Sequence, residues 1–363
     1  MSDVFEGIIG QESALRILRT ALTADRLAGA YLFVGPEGSG KTTTALRLAA
    51  ALCGAPDIQD IQARLILDHK HPDVRLERPS GRSHTIHVGQ LWPRGANPDH
   101  PASNAMLRDL QYEPVRGKKR VFIIREAEGL SRGGDNAANS ILKTLEEPPP
   151  YAHFILTAAS VSGILPTILS RCQLIHFNAL SRDEVVGILT ERFAVASGTA
   201  GFLAAYTGGR LGQALRLARS QDVLAAREEV LDIAERLLVC PPVESFKLSE
   251  RFRKVAGRMR SSELDGEAEL GGREPLKRAM ELLGTFYRDI MAARSGCGDH
   301  LLINADRINA VRSHADRAPS TAALRDCVER IAGAGFAIDR NGYAQTVIDV
   351  LFLQLTSKAP ASR

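Results

Sequence analysis

Apolar and polar positions alternate with two different periods along this chain. In the first half, the short apolar runs Tyr31–Val34, Val121–Ile124, His153–Thr157 and Leu174–Phe177 have the length and composition of strands buried on both faces. The alternating Val74-Arg75-Leu76 predicts a further strand. Between these runs, apolar residues recur at helical spacing. Ser13–Ala24 does so through Leu15, Leu18, Ala21 and Leu22. Thr43–Leu52 is rich in alanine and leucine, Ala105–Leu110 is a short helix candidate, and the helix from Asn136 is stopped by Pro148 and Pro149. Strands alternating with helices predict a parallel α/β sheet. From Leu180 onward the period is helical. Leu180–Ala194 opens with Ser181 and Glu184, the spacing of a capping box. After Ser220, helices are expected at Val223–Val239, Val243–Arg260, Pro275–Ala293, Thr321–Asp339 and Tyr343–Leu355, with a polar loop over Ser261–Gly272. The fold class is therefore α/β followed by all-α.

Two stretches break the pattern. Cys53–His71 is polar, and its His69 and His71 are expected to be solvated. With Cys53 they give at most three ligands, and without paired cysteines no zinc site is expected. Arg78–Asn104 is rich in Pro, Gly, Ser, His and Asn and holds the only tryptophan, Trp92; it predicts a long, irregular and floppy insertion. The basic run Arg116–Arg120 is expected to be a solvated loop.

The candidate chemistry lies between the first strand and its helix. Gly35-Pro36-Glu37-Gly38-Ser39-Gly40-Lys41-Thr42 has the form G-x-x-x-x-G-K-T. Glycines let the backbone turn tightly and aim N–H groups at phosphate oxygens, and the helix N-terminus adds partial positive charge. Lys41 would bridge the outer phosphates and Thr42 would ligate magnesium when ATP is bound, with Thr43 completing the cradle. In P-loop ATPases, the Val121–Ile124 type of strand ends in Asp-Glu, which holds magnesium and orients water. Here Arg125-Glu126 follows: the glutamate is kept, but a cation stands at the aspartate. ATP binding at the loop is therefore expected, with hydrolysis in doubt. Thr157, at the end of a buried run, is placed to sense a γ-phosphate.

Bulk properties narrow the partners. The 363 residues exceed one ordinary domain. With 46 basic against 42 acidic residues, no overall field compels nucleic-acid or membrane binding. Five scattered cysteines without C-x-x-C spacing fit reduced thiols in a cytoplasmic protein. Met1–Gln11 is acidic and polar apart from Ile8-Ile9, and no run of apolar residues is long enough to span a membrane, so neither signal peptide nor membrane partner is expected.

The phosphate loop, the L-K-T-L-E-E-P-P core within Asn139–Pro149, and Thr167-Ile168-Leu169-Ser170-Arg171-Cys172 together resemble the clamp-loader subunits of bacterial DNA polymerase III, in the AAA+ superfamily. The resemblance implies an AAA+ P-loop domain over 1–178, with the insertion at about 78–104, a small helical lid over 179–220, and a helical collar over 221–363. It implies that Arg171 is an arginine finger acting in trans on a neighbour's ATP. It also implies a hetero-pentameric ring with gamma/tau and delta subunits, which uses ATP to load a sliding clamp onto primed DNA. Hydrolysing members carry four zinc cysteines, an Asp-Glu pair and a second sensor arginine; this chain has no such cysteines, Arg125 at the aspartate and Gly212 at the sensor. Arg210 could serve as that sensor only if the register slips. The pattern is that of the delta-prime kind, with Glu126 as a residual Walker B acid, weak or absent ATPase activity in isolation, and no polymerase chemistry of its own. A gamma/tau-like motor and a purely structural ring subunit are the alternatives.

Overall fold

The protein is described by a computed structural model covering residues 3–57, 59–81, 83–92, 105–132, 134–259, 273–340 and 342–356. The expected loop Ser261–Gly272 and residues 93–104 of the insertion lie outside the described residues. Contacts divide the chain into two compact units, Met1–Leu180 and Ser181–Arg363.

The first unit is an α/β layer structure. Its elements are α1 (Glu12–Thr23), β1 (Ala30–Val34), α2 (Lys41–Leu52), α3 (Ile61–Leu67), β2 (Val74–Glu77), α4 (Val88–Leu91), β3 (Arg120–Ile124), α5 (Asn136–Glu146), β4 (Ala152–Ala158), α6 (Pro166–Leu169) and β5 (Gln173–His176). The five strands pair in parallel in the order β2-β3-β4-β1-β5. Strand period sorts the apolar runs onto two faces. Tyr31, Phe33, Val121, Ile123 and Ile155 pack against residues of α1 and α2. Leu32, Val34, Phe122, Ile124, Phe154 and Leu156 pack against Ala137, Ala138, Ile141 and Leu145 of α5. Continuous apolar runs therefore mark strands sandwiched between two helical layers.

Four expectations need correction. Ala105–Leu110 forms turns rather than a helix. Its own bonds are single i→i−3 turns, Arg108 N–H to the Ala105 carbonyl and Leu110 N–H to the Leu107 carbonyl, and the segment is tied to its surroundings by the Met106 and Leu107 N–H groups on the Gln90 and Leu91 carbonyls and by the Arg120 guanidinium on the Asp109 carbonyl. Arg116–Arg120 is not simply solvated: Arg120 is buried, 3.2 Å from the fully buried Asp73 carboxylate. That carboxylate also accepts from the N–H groups of Val115, Arg116 and Gly117 at 2.7–2.8 Å. His71 is likewise buried, its Nδ1 accepting from the Asp73 N–H at 3.1 Å, while His69 is exposed as expected. Finally, residues 83–92 of the insertion are anchored. Leu91 is buried in the sheet core, and Trp92 donates its indole N–H to the Ser140 carbonyl at 3.2 Å.

The second unit is helical: α7 (Arg182–Phe193), α8 (Ser197–Thr207), α9 (Leu211–Arg219), α10 (Gln221–Leu237), α11 (Pro242–Arg258), α12 (Glu274–Arg294), α13 (Ile308–Arg317), α14 (Thr321–Asp339) and α15 (Ala344–Thr356). The capping box at Ser181 and Glu184 forms as its spacing predicts. Within this unit Arg227 is buried against Asn304 and Asp306, with its guanidinium 3.7 Å from the Phe202 ring centroid. No helix among the described residues is long and apolar enough to cross a membrane.

Candidate functional site

The phosphate loop connects β1 to α2 at the carboxyl edge of the sheet. Its glycines are required for separate reasons. A Cβ on Gly35 would lie 2.0 Å from the Phe177 carbonyl oxygen, so the close approach of two backbones excludes any side chain. Gly40 has open space around it but adopts φ 95°, which side-chain-bearing residues avoid. Gly40 thereby starts α2 without a side-chain cap, leaving first-turn N–H groups for an anion.

Lys41 is buried, and its ammonium donates to the Gly35 carbonyl at 2.5 Å and the Pro36 carbonyl at 2.7 Å. Burial pulls its pKa below the ordinary lysine value; the Glu128 and Glu37 carboxylates oppose the shift, and the Arg125 charge adds to it. Phosphate would exchange with those carbonyls. The Thr42 hydroxyl has no protein partner among the described residues, whereas Thr44 turns its hydroxyl onto the Gly40 carbonyl. The buried Ser39 hydroxyl has no partner either.

The ends of β3 and β4 lie beside this loop in the sheet order. Thr157, which pairs in register with Phe33, is buried and accepts from the Glu126 N–H at 3.3 Å. The Gly35 N–H donates to the Ala158 carbonyl. Glu126 is exposed with φ 49°, and a carboxylate oxygen lies 3.8 Å from the His84 ring. Sequence reasoning missed Glu128. Its carboxylate accepts from the Ala159 N–H at 2.5 Å and the Ser160 N–H at 3.4 Å, and it is the carboxylate that most strongly opposes the shift at Lys41. The only signal was an acid four residues past the end of β3.

Arg171 is elsewhere. It lies just before β5, whose Gln173 pairs with Tyr31 near the start of β1. Because β1 and β5 are parallel, Arg171 stands at the amino edge of the sheet and the loop at the carboxyl edge. Six residues of strand rise separate their levels, about 20 Å. Its guanidinium donates from Nε and Nη2 to one Glu146 oxygen at 3.2 and 3.0 Å, and from Nη1 to the Thr167 carbonyl at 3.0 Å. Glu146 also escaped notice, although it is the first acid of the L-E-E-P-P core.

In the second unit, Arg210 precedes α9 and donates Nε to the Thr207 carbonyl at 2.6 Å, while Gly212 is the second residue of that helix. Among the described residues, no group of three or more His, Cys, Asp or Glu could hold a metal ion.

Comparison with known proteins adds to this geometry. The family model described as "DNA polymerase III, delta subunit" matches residues 10–181. The DNA polymerase III subunit delta' of Bacillus subtilis is 26% identical over 310 residues, which cover 84% of each chain. The chain is thus similar to clamp-loader subunits of DNA polymerase III. Subunit tau of Bacillus subtilis is 27% identical over 308 residues, 81% of this chain and 51% of tau; the chain thus spans about half the length of that relative. Subunit tau of Escherichia coli is 32% identical over 191 residues, 50% of this chain and 26% of tau. The chain therefore aligns with delta' over most of both chains, and with tau over a part.

Proposed function

We propose that this chain is a delta'-like ring subunit that supplies Arg171 to the ATP site of a neighbouring subunit. Through that contact it supports ATP-driven loading of the sliding clamp onto primed DNA, in a hetero-pentameric ring with gamma/tau and delta. The observation that carries the reading is the placement of Arg171. It stands about 20 Å, in strand rise, from its own phosphate loop, beyond the reach of one side chain, so a finger there serves another subunit. An arginine finger contributes about a thousandfold or more to phosphoryl transfer.

Its own loop, Gly35 to Thr43, binds nucleotide through Lys41 and the α2 N-terminus without rapid turnover. Arg125 replaces the magnesium-binding acid, and Gly212 stands at the sensor position. The 179–220 segment acts as a lid and 221–363 as the collar. The intact loop and Glu126 favour one second reading, a gamma/tau-like motor that hydrolyses ATP itself.

The test is ATP turnover of the reconstituted clamp loader with clamp and primed DNA. Arg171→Ala is expected to abolish most turnover while Lys41→Ala changes little. Loss on Lys41→Ala with Arg171→Ala near wild type would establish the motor instead.

A further inference from the structure

Magnesium normally accompanies a nucleotide at a phosphate loop, held by the loop hydroxyl and a carboxylate at the end of a neighbouring strand. The residues here do not fit that ion. Thr42 offers a free hydroxyl, but the next-strand position is Arg125. Glu126 lies towards His84, and Glu128 is held by the Ala159 and Ser160 N–H groups. A guanidinium beside the loop also repels a dication.

The placement of Arg125 is specific. Arg125 is the first residue past β3, Gly35 is the first past β1, and β4 lies between these parallel strands. In register Ile124 pairs with Leu156 and Leu156 with Leu32, so Arg125 is level with Phe33; two strand spacings sideways and two residues of rise put the Arg125 and Gly35 backbones about 12 Å apart at this edge of the sheet. An extended arginine and a bound triphosphate bridge that span between them. The Arg125 N–H is fixed to the Glu77 carbonyl at 2.8 Å, which sets the root of the side chain. The guanidinium itself, half-buried, makes no hydrogen bond or ion pair among the described residues. Its charge is nevertheless felt at Lys41.

We propose that Arg125 takes the place of the metal, so that the loop binds a nucleoside triphosphate without magnesium, clamped between Lys41 and the Arg125 guanidinium. Arginine suits the role because its planar fork pairs with two phosphate oxygens and keeps its charge at any working pH. The inference rests on reading Gly35 to Thr43 as a nucleotide site. It goes further by assigning the counter-charge for the β- and γ-phosphates to this chain's own side chain.

The experiment is equilibrium titration of the full chain with N-methylanthraniloyl-ATP, once with excess magnesium and once with excess EDTA. Wild type is expected to bind with Kd values within about threefold of each other in the two buffers. Arg125→Ala should weaken binding in EDTA by about tenfold or more. Arg125→Asp should bind only when magnesium is present. Arg125→Gln, which keeps the bulk of the side chain, guards against a folding defect and should behave as Arg125→Ala. Wild-type binding that disappears in EDTA overturns this inference and leaves the loop reading intact. So does unchanged EDTA binding by both Arg125→Ala and Arg125→Gln. Absence of wild-type binding in both buffers, or a Lys41→Ala variant that binds as wild type, removes the loop reading and this inference with it.

Discussion

Asp73 is the residue whose loss should cost the first unit most. Its carboxylate is fully buried and accepts four donors: the N–H groups of Val115, Arg116 and Gly117, and Arg120 Nη2. Truncation by Asp73→Ala leaves the buried Arg120 charge without its closest carboxylate, since Asp109 is 3.8 Å away. Breaking one side of a buried ion pair costs about 3–5 kcal/mol. Arg120→Met should cost less, because the Asp73 carboxylate keeps its three N–H donors. The double variant should be less destabilised than the sum of the singles by about 1–3 kcal/mol, since no uncompensated charge remains. Burial alone would raise the Asp73 pKa, but the Gly117, Val115 and Arg116 N–H groups and the Arg120 charge hold it below the usual aspartate value. A depressed folded pKa means that this stabilisation is present above the ordinary aspartate range and is lost as pH falls through the folded value. The gap between wild type and Asp73→Asn should therefore close only in strong acid. Urea unfolding followed by Trp92 fluorescence is the assay. As the only tryptophan, Trp92 reports on the first unit alone. A cost for Asp73→Ala below about 1 kcal/mol, or additive single variants, would refute the reasoning.

Three further outcomes follow from the site. Gly35→Ala forces a Cβ to within 2.0 Å of the Phe177 carbonyl; calorimetry should show destabilisation of about 1–3 kcal/mol or more, with loss of nucleotide binding. Glu146→Ala removes a partly exposed ion pair. It should shift stability by no more than about 1 kcal/mol, and turnover of the reconstituted complex should stay within about fivefold of wild type. Burial pushes the Cys53 and Cys172 thiols up to about 12. Both should therefore resist Ellman's reagent at neutral pH until the chain unfolds, while the exposed Cys297 reacts at once.

What the sequence made legible was short-range. The loop glycines, the apolar strand runs and the Ser181–Glu184 cap are dictated by neighbours a few residues away, and each strand and the cap form where spacing puts them. What it hid was long-range pairing. Arg120 and Asp73 lie 47 residues apart, Trp92 and Ser140 48 apart, and Arg171 and Glu146 25 apart. A basic run reads as solvated until its buried acid is known. A short helix pattern such as Ala105–Leu110 likewise gives way to single turns, its first N–H groups tied to the distant Gln90 and Leu91 carbonyls. Glu128 left only a faint signal and the unpaired state of Arg125 none, because both depend on which strand ends the sheet order brings side by side.

The contacts of α5 give it the character of a push-rod. Near its middle, the Ser140 carbonyl holds the Trp92 indole; at its end, Glu146 holds Arg171. Six residues of helix separate the two grips, about 9 Å along a rigid axis. Whatever slides α5 lengthwise displaces both grips by the same amount in the same direction, so the anchored end of the insertion and the arginine share one degree of freedom.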